Sequence, residues 1–213
     1  MAGFSIGKPE TAKTSEAANS KNDAGIRSGM EHFSRWDLGK GLGAGFNFDK
    51  LRDPYYTDKS ERLKNCPVEE NFISGTKGDG FAVPRQDTET GRKASALLEG
   101  FGLKGIEYKN GFPVFGPVAH DAVEIHMTKD LYVNYRNAYL KFAEKRSSEK
   151  RDGKNDWKPS DVKAYIKEHG LTIHECEDRK TCQLVPTAIH QSFRHVGGRE
   201  ECKQLEAALN GGK

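Results

Sequence analysis

Leu171-Thr172-Ile173-His174-Glu175-Cys176, then Glu177-Asp178-Arg179-Lys180, then Thr181-Cys182-Gln183-Leu184-Val185-Pro186, then Thr187 through His190 to His195-Val196-Gly197-Gly198, is the stretch that decides the fold. In its first segment Leu171, Ile173 and Cys176 alternate with polar groups closely enough for a half-buried strand. The charged run Glu177 to Lys180 holds no apolar residue and predicts a solvated turn. Thr181 to Val185 predicts a second strand, which Pro186 ends because its ring removes a ladder donor. Thr187 is the expected helix cap. Ile189 and Phe193, four apart, share the buried face of that helix. Gly197-Gly198 is the expected left-handed stop. The unit is a β-hairpin followed by a helix, ββα.

Three histidines ride on this unit: His174 on the first strand, His190 in the helix and His195 at its end. Neutral imidazole is the commonest nitrogen ligand for a divalent metal, so their convergence would make a metal site. Helix geometry sets a condition. At roughly 100° per residue, five positions carry a side chain about 140° off its starting face. His190 and His195 meet one ion only if the helix unwinds before His195, which the glycines behind it would permit.

These residues resemble the core of the HNH-superfamily, or ββα-metal, nucleases, in the WHH-like version carried by bacterial polymorphic toxins. That pattern runs aromatic-His-His, a short hairpin, Gln-Leu-Val-Pro, a helical His, and His-Thr-Gly-Gly. The matching positions are Ile173-His174-Glu175, Gln183-Leu184-Val185-Pro186, His190, and His195-Val196-Gly197-Gly198. Ile173 replaces the aromatic, and Glu175 stands where the family has its second His, the general base.

The resemblance implies a fold and a chemistry. The fold would be α+β, with an HNH-like core at the C-terminus, helices before it and an irregular N-terminal region. The chemistry would be metal-dependent endonuclease hydrolysis of phosphodiester bonds. Carried over by position, His174, His190 and His195 hold one divalent ion (Mg, Mn, Ni or Zn) and Glu175 inherits the base. A Glu has a reference pKa near 4.3, against about 6.5 for His, and is the weaker base unless burial raises it. The converse assignment is also open, with Glu175 as ligand and His174 as base, as is a Glu that weakens or abolishes catalysis. Adjacent strand residues point to opposite faces, so both act at one ion only through a bulge or a strand end. Arg179, Lys180, Arg194 and Arg199 flank the motif as candidate phosphate contacts. The substrate implied is DNA, cut largely without sequence preference, with RNA as the alternative. The implied partners are a cognate immunity protein and a secretion carrier or apparatus, and the implied role is that of an antibacterial effector.

The whole chain limits the options. Its 213 residues suit one sizeable domain or a small domain with a tail. Apolar residues make up 35% and charged residues 31%, a mix that leaves room for irregular segments. Net charge is +3, too small for a global field, yet Lys141 to Lys167 carries nine Lys or Arg against five Asp or Glu. That local excess either tracks a phosphate backbone or is a solvated helix face. The four Cys, at 66, 176, 182 and 202, suggest no disulfide framework. No stretch is long and apolar enough for a membrane span, and the N-terminus lacks a secretory core. The expectation is synthesis in the cytoplasm, export without a cleaved signal peptide, and delivery into a target bacterial cell.

Residues 1–30 read as a flexible tail or docking segment, being poor in large apolar groups. Residues 31–100 read as an irregular region of unknown role, punctuated by turns. Its Gly39-Lys40-Gly41-Leu42-Gly43-Ala44-Gly45 run lacks the Gly-Lys-Ser/Thr ending of a phosphate loop and reads as a plain loop. Residues 101–213 would then be the HNH-like nuclease toxin domain that the resemblance implies. Within it Asn110-Gly111 predicts a turn, and Val123-Glu124-Ile125-His126-Met127 a strand with the apolar residues inward. Thr128 is the expected cap of a helix whose stripe is Leu131, Tyr135, Ala138 and Phe142, fading near Ser147-Ser148. Ser160 is the expected cap of a second helix, with Val162 and Ile166 inside and Gly170 as its stop. His120 and His126 read as surface residues.

A rival reading comes from another class. Cys176, Cys182, His190 and His195 spell C-x5-C-x7-H-x4-H, near a structural zinc finger although its gaps differ. That would make a non-catalytic nucleic-acid- or protein-binding module. A third class, an adaptor for delivery, would rest on the N-terminal half.

Overall fold

The structure, a computed structural model, describes residues 55–211. The tail at 1–30 and the glycine run at 39–45 lie outside them. The chain is α+β as the sequence predicts. Strands β1 (Phe72–Thr76), β2 (Asp79–Ala82), β3 (Ile106–Lys109) and β4 (Phe112–Pro113) form one antiparallel sheet in that order. Strands β5 (Asp121–Glu124), β6 (Leu171–Glu175) and β7 (Thr181–Pro186) form a second, ordered β5-β7-β6. The helices are α1 (Lys59–Asn65), α2 (Glu89–Gly100), α3 (Leu131–Ser148), α4 (Pro159–Glu168), α5 (Thr187–Ser192) and α6 (Gly198–Gly211).

The hairpin that the sequence predicts is β6–β7, with Leu171 opposite Pro186, Ile173 opposite Leu184 and His174 opposite Gln183. Because successive strand residues point to opposite faces, this register sorts the side chains into two cores. Ile173, Leu184, Cys182 and Val123 pack with Ala138 and Phe142 of α3 and Val162 of α4. On the other side Val185 packs with Ala94 and Leu98 of α2, Tyr108 of β3, Phe115, Ile189 and Phe193. The three-stranded sheet is thus the wall between two apolar layers. Burying a side chain such as Phe142 contributes about 2–3 kcal/mol before entropy is counted.

Several local expectations are corrected. Asp130 caps α3, its carboxylate accepting from Tyr132 N and Val133 N, because Thr128 is occupied with Asn134 Oδ1 at 3.0 Å. Ser160 does not cap α4. Lys158 is the cap residue and its amide donates to the Asp161 carboxylate at 2.9 Å. Thr187 is the first helical residue of α5 rather than its cap, and Pro186 holds the cap position with no side-chain bond. The Glu177–Lys180 turn is partly buried rather than wholly solvated. It is tied by Asp178, whose carboxylate accepts from Lys180 N at 3.0 Å and Thr181 N at 2.8 Å. Strand β5 stops at Glu124, although Ile125 and Met127 are buried as expected.

Between residues 55 and 100 the sequence offered only turns, and the structure places α1, the β1–β2 hairpin and α2 there. Turn chemistry was legible where it was strongest. Asn110 and Gly111, at φ 50° and 86°, make the β3–β4 connection, a geometry that Asn and Gly tolerate. Part of the basic stretch from Lys141 to Lys167 is paired with carboxylates. Lys145 pairs with buried Asp121 at 2.7 Å, and Lys141 with Glu144 at 2.7 Å. Arg146 is buried, with its guanidinium 3.7 Å from the Tyr165 ring centroid and 4.9 Å from that of Trp157. This cation stabilises the α3–α4 packing from inside.

Candidate metal centre

His174 comes from β6, His190 from α5, and His195 from the loop behind it. The condition set by helix geometry is met: α5 ends at Ser192, before His195. It ends for a reason other than the glycines, since neither Gly197 nor Gly198 has a positive φ. The chain leaves the helix at Phe193 (φ −115°, ψ 87°), whose ring is fully buried in the second core. Gly198 opens α6 instead. A Cβ there would lie 2.0 Å from the Cys176 carbonyl oxygen, so glycine serves close approach rather than turn geometry. The loop is tied again where the Tyr108 hydroxyl donates to the Arg194 carbonyl at 2.9 Å.

The three imidazoles converge. Their ligand atoms lie within 4.8 Å of one another, and their ring centroids are 4.9 to 5.4 Å apart. His195 Nδ1 is 2.7 Å from the Phe193 carbonyl. A carbonyl can only accept, so Nδ1 carries the proton and Nε2 presents its lone pair. That Nε2 is 3.3 Å from His174 Nδ1. Two nitrogens bound tetrahedrally at about 2.0–2.1 Å would be roughly 3.3–3.4 Å apart, so the spacing suits a first-row divalent ion. Burial, and then the neighbouring imidazoles, hold His174 well below its ordinary value. Burial likewise brings His190 down to about 4 and lowers His195. All three are neutral at physiological pH, the form that binds metal. Phe115 packs against every ring, at centroid distances of 4.9, 5.7 and 5.5 Å. No local periodicity pointed to this residue.

Glu175 is not brought to the imidazoles. Strand alternation places it on the α3 face, where its carboxylate accepts from Asn134 Nδ2 at 2.6 Å. Burial raises its pKa, opposed by the Asn134 bond and by Arg199. On the imidazole face, Gln183 stands in register with His174, and its buried Oε1 has no hydrogen-bond partner among the described residues. Of the flanking cations, Lys180 pairs with Glu124 at 2.7 Å. Arg179 lies over the Tyr56 ring at 4.1 Å and donates to the Tyr55 carbonyl at 3.2 Å. Arg194 is exposed and Arg199 is half-buried. His126 is exposed as expected, while His120 is half-buried and held down at about 4, chiefly by burial.

The zinc-finger quartet is not assembled. Cys182 faces the α3–α4 core, on the opposite side of the sheet from the imidazoles, and the same alternation that separates Glu175 from His174 separates it from them. All four cysteines are free and buried.

An α+β domain with a neutral three-imidazole cluster on a strand, a helix and a loop is a scaffold suited to metal-assisted hydrolysis. Residues 105–197 match the family described as the DNase/tRNase domain of colicin-like bacteriocin. That span runs from just before β3 to Gly197 and includes all three imidazoles. The match supports a nuclease toxin domain in this part of the chain, and with it hydrolase activity on a nucleic acid. No curated protein and no solved structure matches the chain. Among the described residues no helix is long and apolar enough to cross a membrane.

Proposed function

We propose that residues 101–213 form an HNH-like, divalent-metal-dependent endonuclease whose substrate is DNA, and that the chain is an antibacterial toxin. The observation that carries this reading is the convergence of His174, His190 and His195 within the 105–197 segment similar to colicin-like nuclease domains. In the proposal His174, His190 and His195 hold one ion, which when bound would act as Lewis acid at the scissile phosphate and lower the pKa of a water. The chain's own groups do the rest. The Phe193 carbonyl fixes the His195 tautomer, Phe115 walls the cluster against solvent, and exposed Arg194 offers a phosphate contact.

Glu175 is assigned no ligand role, because its carboxylate is engaged by Asn134. Its part as base is read from a variant. Loss of cleavage with metal affinity retained marks a base, and unchanged cleavage marks a residue that serves the sheet. A cognate immunity protein, a secretion carrier or apparatus, and delivery into a target cell complete the proposal by analogy with toxins of this kind.

The test is cleavage of supercoiled plasmid, with tRNA in parallel, by the wild type, His174→Ala and Glu175→Ala under Mg²⁺, Mn²⁺, Ni²⁺ or Zn²⁺. Wild-type nicking that His174→Ala abolishes supports the reading. Intact plasmid and tRNA with folded wild type under every metal overturn it, and cleavage of tRNA alone moves the substrate to RNA.

A further inference from the structure

His174 belongs to a second set of ligand atoms. Its imidazole, the Cys176 thiol and the Glu177 carboxylate also lie within 4.8 Å of one another. The arrangement follows from the strand. His174 and Cys176 are two apart and share the face opposite Glu175, and the Cys176 amide keeps the ladder going by donating to the Thr181 carbonyl at 2.8 Å. Glu177 is the first residue of the turn beyond.

That turn is held from three directions. The Cys176 carbonyl accepts from Arg179 N at 3.2 Å, Asp178 ties the turn to Thr181 N at 2.8 Å, and the α6 backbone presses on Cys176 at Gly198. The set is therefore fixed in place rather than carried on a loose loop.

We propose that His174, Cys176 and Glu177 form a sulfur-containing site for a thiophilic divalent cation such as Zn²⁺, which competes with the three-imidazole centre for His174. A neutral imidazole offers one lone pair, so His174 serves one ion at a time. Filling the sulfur site leaves His190 and His195 as an incomplete pair. The thiol binds as thiolate, its proton passing to solvent, and Glu177 binds as carboxylate. Thiolate selects zinc over magnesium, which demands oxygen ligands. The consequence is a nuclease whose Mn²⁺-supported cutting is slowed when zinc draws His174 into the sulfur site. The competition rests on the nuclease reading; the site itself does not.

The test uses the full chain, freed of metal and titrated with Co²⁺ as a spectroscopic probe. The wild type is expected to develop a near-ultraviolet sulfur-to-cobalt charge-transfer band. Cys176→Ser should lose that band, while His190→Ala should keep it. X-ray absorption at the zinc edge of the wild type, which needs no variant, should show a sulfur neighbour at about 2.3 Å. In the cleavage assay Zn²⁺ should slow Mn²⁺-supported cutting at least tenfold in the wild type and less than twofold in Cys176→Ser. A zinc shell of nitrogen and oxygen alone, or identical cobalt spectra in the wild type and Cys176→Ser, overturns the site. Equal zinc inhibition of both proteins overturns the competition. A chain that shows the band but cuts nothing under any metal refutes the nuclease reading and leaves the site standing.

Discussion

Asn134 and Glu175 are locked together across the α3–β6 interface, with the amide Nδ2 2.6 Å from the carboxylate. Asn134 is fully buried, and its side chain also binds Thr128 through the backbone amide at 2.8 Å and the carbonyl at 2.7 Å. Glu175 is thus part of the joint between helix and sheet. Asn134→Ala should destabilise the protein by about 2–4 kcal/mol, since it strands several buried partners at once. Urea unfolding reads the loss, and a change under about 0.5 kcal/mol would refute the joint.

The proposed ligand His190 and the neighbouring carboxylate Glu175 should separate in calorimetric titration with Ni²⁺ or Mn²⁺. His190→Ala is expected to weaken binding at least a hundredfold by removing one of three imidazoles. Glu175→Ala should stay within about threefold of the wild type. Equal losses in the two variants would place the carboxylate in the ligand set and contradict the geometry.

Phe115 is 1% exposed and touches all three imidazoles. Phe115→Ala should cost about 3–5 kcal/mol as a large-to-small change in a packed core. Phe115→Leu should cost less than about 1.5 kcal/mol, and at retained fold should still weaken metal binding because the imidazoles lose their common wall. Thermal melts with and without metal measure both effects.

The two glycines of the motif should respond differently. A Cβ at Gly198 meets the Cys176 carbonyl at 2.0 Å, whereas the nearest atom to one at Gly197 is the Glu175 carbonyl at 3.6 Å. Gly198→Ala should therefore destabilise by about 2–4 kcal/mol, and Gly197→Ala by less than about 0.5 kcal/mol. Comparable losses would remove the close-approach argument.

Burial pushes the Glu177 carboxyl up to about 7 from its ordinary 4.5. Between those values the folded chain holds the proton more tightly than the unfolded one. The resulting stability is full below pH 4.5 and is lost as pH rises through 7. Glu177→Gln removes this dependence. Metal-free, it should gain about 1–2 kcal/mol on the wild type in going from pH 4 to pH 8, the shift being discounted for the residue's partial exposure. His190 runs the other way: lowered to about 4 from 6.5, it charges more readily unfolded, so its penalty appears as pH falls from 6.5 through 4. Unfolding curves of Glu177→Gln and His190→Ala at pH 4 and pH 8 separate the contributions.

The sequence by itself determined the ββα order, the α3 helix ending near Ser148 and the Asn110-Gly111 turn, because each follows from periodicity or turn chemistry within a few residues, and it singled out the three histidines that converge. It also required the helix to release before His195. Tertiary structure decided the rest. The release falls at Phe193, whose ring is drawn into a core completed by Phe115 and α2. Glu175 falls on the α3 face, where Asn134, 41 positions earlier, is waiting for it. Arg146 leaves the basic surface to sit between Tyr165 and Trp157. Strand alternation says that neighbours part company, but only the layers packed on each side of the sheet say what each of them meets.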